Sequence, residues 1–145
     1  MGSRVVAGLA LPALTLTGCG LVDAPNCTLV GAESGVHVAW TMSDFPKDAR
    51  FRLCSGKTCK ERIGVPHERM AGVGITLPDD IGAASVPVRF TVASADGSRT
   101  LYARETTVRL ERYAPNGEGC DPVVWTAALR AAPETDLVPV DRDAP

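Results

Sequence analysis

The chain has 145 residues, 15 Lys and Arg against 17 Asp and Glu, and a formal net charge of −2. That length suits one domain and is short for two of ordinary size. The mildly acidic balance, with charges mixed along the chain, offers no basic stripe of the kind a nucleic-acid partner needs, so none is expected.

The amino-terminal stretch sets the address. Arg4 precedes an apolar run from Val5 to Thr17, which ends in Leu16-Thr17-Gly18-Cys19. Charge, apolar core, small residues and a cleavage point follow one another as in a secretory signal. A spanning helix needs about 20 mostly apolar residues, and this run is shorter and contains Gly8 and Pro12. An ordinary signal cut elsewhere fits less well, because Ala7-Gly8-Leu9-Ala10 lies too early in the run. Leu16, Thr17, Gly18 and Cys19 together resemble the lipobox of bacterial lipoproteins. The resemblance implies removal of residues 1–18, a diacylglyceryl group on the Cys19 thiol, and attachment to the extracytoplasmic face of the membrane. Two or more acyl chains hold a protein stably at a bilayer without a spanning segment.

Residues 19–26 then read as a short tether, residues 27–132 as the folded domain, and residues 133–145 as a mostly irregular acidic, proline-containing tail. Asn26-Cys27-Thr28 matches a glycosylation sequon, which in a bacterial lipoprotein is coincidence.

Within the domain the pattern has period two and frequent turns. A short strand is expected over residues 27–30. Val36, Val38, Trp40 and Met42 mark one face of the next, opposite His37, Ala39 and Thr41. Phe51 and Leu53 mark a third strand, and residues 60–65 a weaker fourth. Val73, Ile75 and Leu77 make another alternating face, as do Val86, Val88, Phe90 and Val92. Ala95-Asp96-Gly97-Ser98 is a hairpin signal leading into a long strand over residues 100–112. Leu101 and Ala103 fall out of phase there with Val108 and Leu110, which calls for a bulge near residues 105–107. Val123, Trp125, Ala127, Leu129 and Ala131 line the last strand, although Ala and Leu would also suit a helix. Seven to eight short strands without a convincing helix describe an all-β chain, an antiparallel β-sandwich of immunoglobulin or fibronectin-III-like architecture.

Apart from Cys19, four cysteines remain, and four allow three pairings. The preferred one joins Cys54 to Cys59 as a local clip around Ser55-Gly56-Lys57-Thr58. It joins Cys27 to Cys120 as a long staple, closing a loop to which the chain-entropy model assigns roughly 4–5 kcal/mol. Zinc sites use two close pairs, or one close pair with histidines, and redox pairs use Cys-x-x-Cys; this spacing is neither. Cys27, Ser34-Gly35-Val36, Arg52-Leu53-Cys54 with Gly56 and Cys59, and Pro115-Asn116-Gly117 before Gly119-Cys120 are similar to small lipoproteins of high-GC Gram-positive bacteria. That resemblance implies a location and a fold and no chemistry.

Catalytic constellations are missing from the sequence. There are two histidines, His37 and His67, and no nucleophile elbow, phosphate loop, dinucleotide fingerprint or calcium loop. Asp79-Asp80 after Pro78 reads as turn-forming acids. His37, Met42, His67 and Met70 could in principle ligate copper, yet Met42 shares the core face. No enzyme, no cofactor and no metal is therefore expected. The leading expectation is a tethered binding or interaction module with an envelope protein or glycan partner. A loop binder would gather exposed aromatics or arginines at one end, around Lys57, Tyr113 or Asn116. The alternative is an envelope assembly component that accepts a strand at an exposed sheet edge.

Overall fold

Residues that alternate apolar and polar in the sequence alternate buried and exposed in the computed structural model, which describes residues 26–64 and 70–141. The lipobox-like stretch with Cys19 and the candidate ligand His67 lie outside the described residues. The described residues form nine strands: β1 (Gly35–Thr41), β2 (Arg50–Ser55), β3 (Thr58–Ile63), β4 (Met70–Thr76), β5 (Ser85–Ala93), β6 (Thr100–Arg109), β7 (Glu111–Tyr113), β8 (Val124–Arg130) and β9 (Val138–Pro139). One sheet has the order β3-β2-β5-β6. The other has the order β4-β1-β8-β7, with β9 also on β8. The chain is an all-β sandwich. In the immunoglobulin frame, β6-β5-β2-β3 take the places of strands G, F, C and C′, and β1 and β4 those of B and E.

The place beside β1 departs from expectation. Residues 27–30 form no strand; β8 occupies that side of β1 instead and runs parallel to it, Val36 opposite Ala127 and Val38 opposite Leu129. The sandwich is therefore mixed rather than wholly antiparallel. The expected long strand over 100–112 is also two strands. It leaves the first sheet at Leu110, which is buried, and joins the second as β7 against Val124–Thr126.

The bulge sits elsewhere than the phase argument places it. Val92 pairs with Tyr102 and Ala93 with Thr100, so Leu101 is the extra residue. Tyr102, Val108 and Leu110 then share the inward phase, while Leu101 and Ala103 are exposed. Residues 133–145 are likewise not irregular throughout: Leu137 is buried, and β9 pairs with Leu129 and Arg130.

The core is an aromatic cluster between the sheets. Trp40 stacks on Phe51 with centroids 4.1 Å apart, and Phe90 lies 5.5 Å from Trp40. Phe45 and Tyr102 meet edge to face at 5.6 Å. Five of the seven aromatic residues thus gather in one place, and Val36, Val38, Leu53, Val88, Val92 and Leu129 fill the space around them. The indole Nε1 of Trp40 is buried without a hydrogen-bond partner among the described residues, a cost this packing offsets.

Phe51→Ala should lower stability by about 3–5 kcal/mol, whereas Leu101→Ser on the exposed bulge should change it by less than about 0.5 kcal/mol. Urea unfolding followed by tryptophan fluorescence distinguishes the two. A comparable loss for both would contradict the placement of Leu101.

Candidate functional site

The two disulfides have different local origins. Cys54 and Cys59 are directly opposed in the β2–β3 hairpin, with Cα atoms 4.0 Å apart, the narrow spacing of a non-hydrogen-bonded antiparallel pair. Gly56 opens the two-residue turn at φ +58, a backbone angle glycine adopts without steric cost. Cys27 and Cys120 join the segment before β1 to the loop before β8, across a sequence separation of 93. These are the two pairs the spacing favours.

Asn116 reinforces the long staple. Its Oδ1 accepts the Val30 N–H at 2.7 Å and the Thr28 hydroxyl at 2.7 Å; its Nδ2 donates to the carbonyls of Val30 (3.0 Å) and Asp121 (2.5 Å). One side-chain amide thus supplies the Val30 backbone with the donor and acceptor that a neighbouring strand would have given. Asn116 is buried and fully employed, so it belongs to the scaffold and not to an exposed binding loop.

The ends of the sandwich are self-contained in other ways. At the β5–β6 hairpin the Asp96 carboxylate accepts hydrogen bonds from the Ser94 hydroxyl and from the Ser98 N–H and hydroxyl. Those donors, Ser94 foremost, hold its pKa well below the usual carboxylate range. Its polar atoms serve the turn.

Arginines gather on a sheet face instead of at an end. Strand alternation sends Arg50, Arg52, Arg89 and Arg109 to the outer side of the β3-β2-β5-β6 sheet, with Glu61 and Glu105 beside them. Four cations against two acids make this face positive on a chain of net charge −2. At its centre lies an open groove of about 490 Å3, lined by Arg52, Arg89, Thr91, Glu105 and the Cys54–Cys59 bridge. Arg89 pairs with Glu105 at 3.0 Å, both side chains 62% exposed, and Arg50 with Glu61 at 3.7 Å. Arg50 is also held by the Ala95 carbonyl at 2.7 Å. The guanidinium of Arg52 has no such partner among the described residues. The linear sequence hides this grouping, because Arg52 and Arg89 are far apart and only the β2–β5 register makes them neighbours.

The remaining candidates do not converge. His37 is exposed on the opposite sheet and lies over Gly74, where a Cβ would collide with its ring. Met42 packs against the core and Met70 is exposed at the start of β4. Among the described residues no group of three His, Cys, Asp or Glu could hold a metal ion, and all four cysteines there are bridged. Asp79 and Asp80 begin a short 3-10 turn before β5. What the arrangement offers chemically is a positively charged concavity beside a disulfide.

No protein-family model, curated protein or solved structure matches the chain.

Replacing Cys27 and Cys120 by Ser should cost about 4–5 kcal/mol, and replacing Cys54 and Cys59 about 2 kcal/mol, because the second loop is far shorter. Asn116→Ala should cost about 1–3 kcal/mol through the orphaned backbone groups of Val30. Urea midpoints of the three variants test the ranking; equal losses from the two bridges would contradict the loop-length account.

Proposed function

We propose that the protein is a lipid-anchored, extracytoplasmic binding module without enzymatic activity. The observation that carries this reading is the pair of disulfides, which form and persist in oxidising compartments outside the cytosol. It agrees with the signal-like stretch that ends at Cys19. From a lipidated Cys19 the tether to Cys27 spans at most roughly 25–30 Å. The end of the sandwich that holds Cys27, Cys120 and Asn116 then faces the membrane, and the sheet faces stand clear of it. The positive groove on one of those faces supports recognition rather than chemistry, since it presents hydrogen-bond donors and no nucleophile–base pair.

Strand addition is the weaker reading. The free edge of β6 borders a cleft of about 560 Å3, but β6 carries Arg104, Glu105 and Arg109. The tail also lies against it, with the Tyr102 hydroxyl donating to the Thr135 carbonyl at 3.1 Å and Arg104 paired to Asp136 at 3.2 Å. Edge strand β3 carries Lys60, Glu61 and Arg62. The uncharged edge of β4 has Arg62 on it, donating to the Gly72 carbonyl at 2.6 Å. Charged and covered edges of this kind discourage pairing.

Cys19→Ser should abolish incorporation of a labelled fatty acid and move the protein from the membrane fraction to the soluble one. Mass spectrometry of the wild-type protein extracted from membranes checks the same point. An unmodified Cys19 thiol with residues 1–18 retained would overturn the proposal.

A further inference from the structure

The outer groove of the β3-β2-β5-β6 sheet has a more specific chemistry than general positive charge. Arg52 pairs with Thr91 and Cys54 with Arg89, so Arg52 and Arg89 are diagonal neighbours across two strands, with Cα atoms about 7–8 Å apart. Both side chains leave the same side of the sheet and line the same concavity. We propose that this groove binds a phosphate group of an anionic ligand between the guanidiniums of Arg52 and Arg89, an inference that rests on the reading of the protein as a binding module.

Three features select phosphate. Each guanidinium presents a planar fork of N–H donors that matches a pair of anionic oxygens. A carboxylate spends both oxygens on one such fork, as Glu105 does not even fully achieve on Arg89, reaching it through one oxygen. A terminal phosphate has three oxygens and up to two charges, so it can accept from both forks at once. Glu105 is an exposed competitor whose solvent-screened pair with Arg89 is weak, so a bridging phosphate can displace it.

The floor of the groove suits a preorganised site. The Cys54–Cys59 bridge pins the β2–β3 hairpin beneath Arg52 and Arg89, which limits the ordering cost of binding. Arg50 and Arg109 extend the same face on either side along a diagonal. They attract a ligand with further anionic groups, and they make the association sensitive to salt. The concave shape distinguishes this site from a flat surface adsorbed on a bilayer.

The test uses the full lipidated chain in neutral detergent micelles, with tripolyphosphate as the probe and calorimetry and amide chemical shifts as readouts. Saturable binding is expected, with shifts centred on Arg52, Cys54, Arg89 and Thr91. Arg52→Gln should weaken it at least tenfold. Glu105→Gln, which removes the competitor, should tighten it several-fold. Arg130→Gln removes a cation that bonds Thr41 on the other sheet and should leave binding within twofold. Thermal midpoints of the three variants are expected to match the wild type, because all three positions are exposed. The tricarboxylate tricarballylate should bind at least tenfold more weakly. Equal binding of tricarballylate would overturn the choice of phosphate, and equal loss in Arg52→Gln and Arg130→Gln would reduce the effect to diffuse charge and overturn the site. If Arg52→Gln alters only adsorption to phosphatidylglycerol vesicles and tripolyphosphate does not bind, the groove is not a phosphate site. These failures leave the lipid-anchored reading intact, since that reading falls only if Cys19 carries no lipid.

Discussion

The parallel contact between β1 and β8 joins the beginning and the end of the domain, and most of what is unusual in this fold follows from it. Closing so long a loop is entropically costly, and a five-residue parallel ladder is a modest return. The protein concentrates its cross-links at that point. Cys27–Cys120 ties the segments that precede the two strands, and Asn116 bonds residues 28–30 to the same loop. Ser34 adds a further tie, its hydroxyl accepting the Trp125 N–H at 3.1 Å. With β8 in place, β7 and β9 can share its outer edge, and the second sheet exists as more than the antiparallel β1–β4 pair.

Strand alternation also converts a bland charge sequence into a segregated surface. Read along the chain, Arg50, Arg52, Arg89 and Arg109 are interrupted by acids and apolar residues, and nothing singles them out. Folding places one residue in two on each face and then sets β2 beside β5. The acids at positions 44, 48, 79, 80, 118 and 121 fall in the connections, so the excess of negative charge goes to the ends and the positive charge remains on the sheet. Composition alone could not reveal this, because it depends on register.

Legibility in the sequence followed the range of the interaction. The apolar faces of β1, β2, β4 and β5 were readable, since burial on one side of a strand imposes a period of two that needs no knowledge of partners. The Cys54–Cys59 clip was readable for the same reason, being local. Leu101 shows where this stops: its apolar side chain argued for an inward position, but the hairpin geometry around Gly97 and the bulge turn Tyr102 inward instead. Residues 27–30 read as a strand because they open the period-two pattern, whereas a side chain nearly ninety positions away bonds Thr28 and Val30. The groove was invisible because it requires the β2–β5 pairing, and β9 because two residues carry almost no periodic signal.

The clip has a second consequence for the groove. A cross-strand bridge near the hairpin turn contributes less to global stability than the long staple, because the loop it closes is short. Its position on the outer face beneath Arg52 and Arg89 gives it a local role that its loop length does not predict. Edge strand β3 contributes almost no core, with every position exposed except a half-buried Arg62, so packing alone would hold it weakly. Besides the backbone ladder, the bridge ties that edge to β2, and the Arg62–Gly72 contact ties it to β4. The long staple maintains the domain, and the short one maintains the shape of a face.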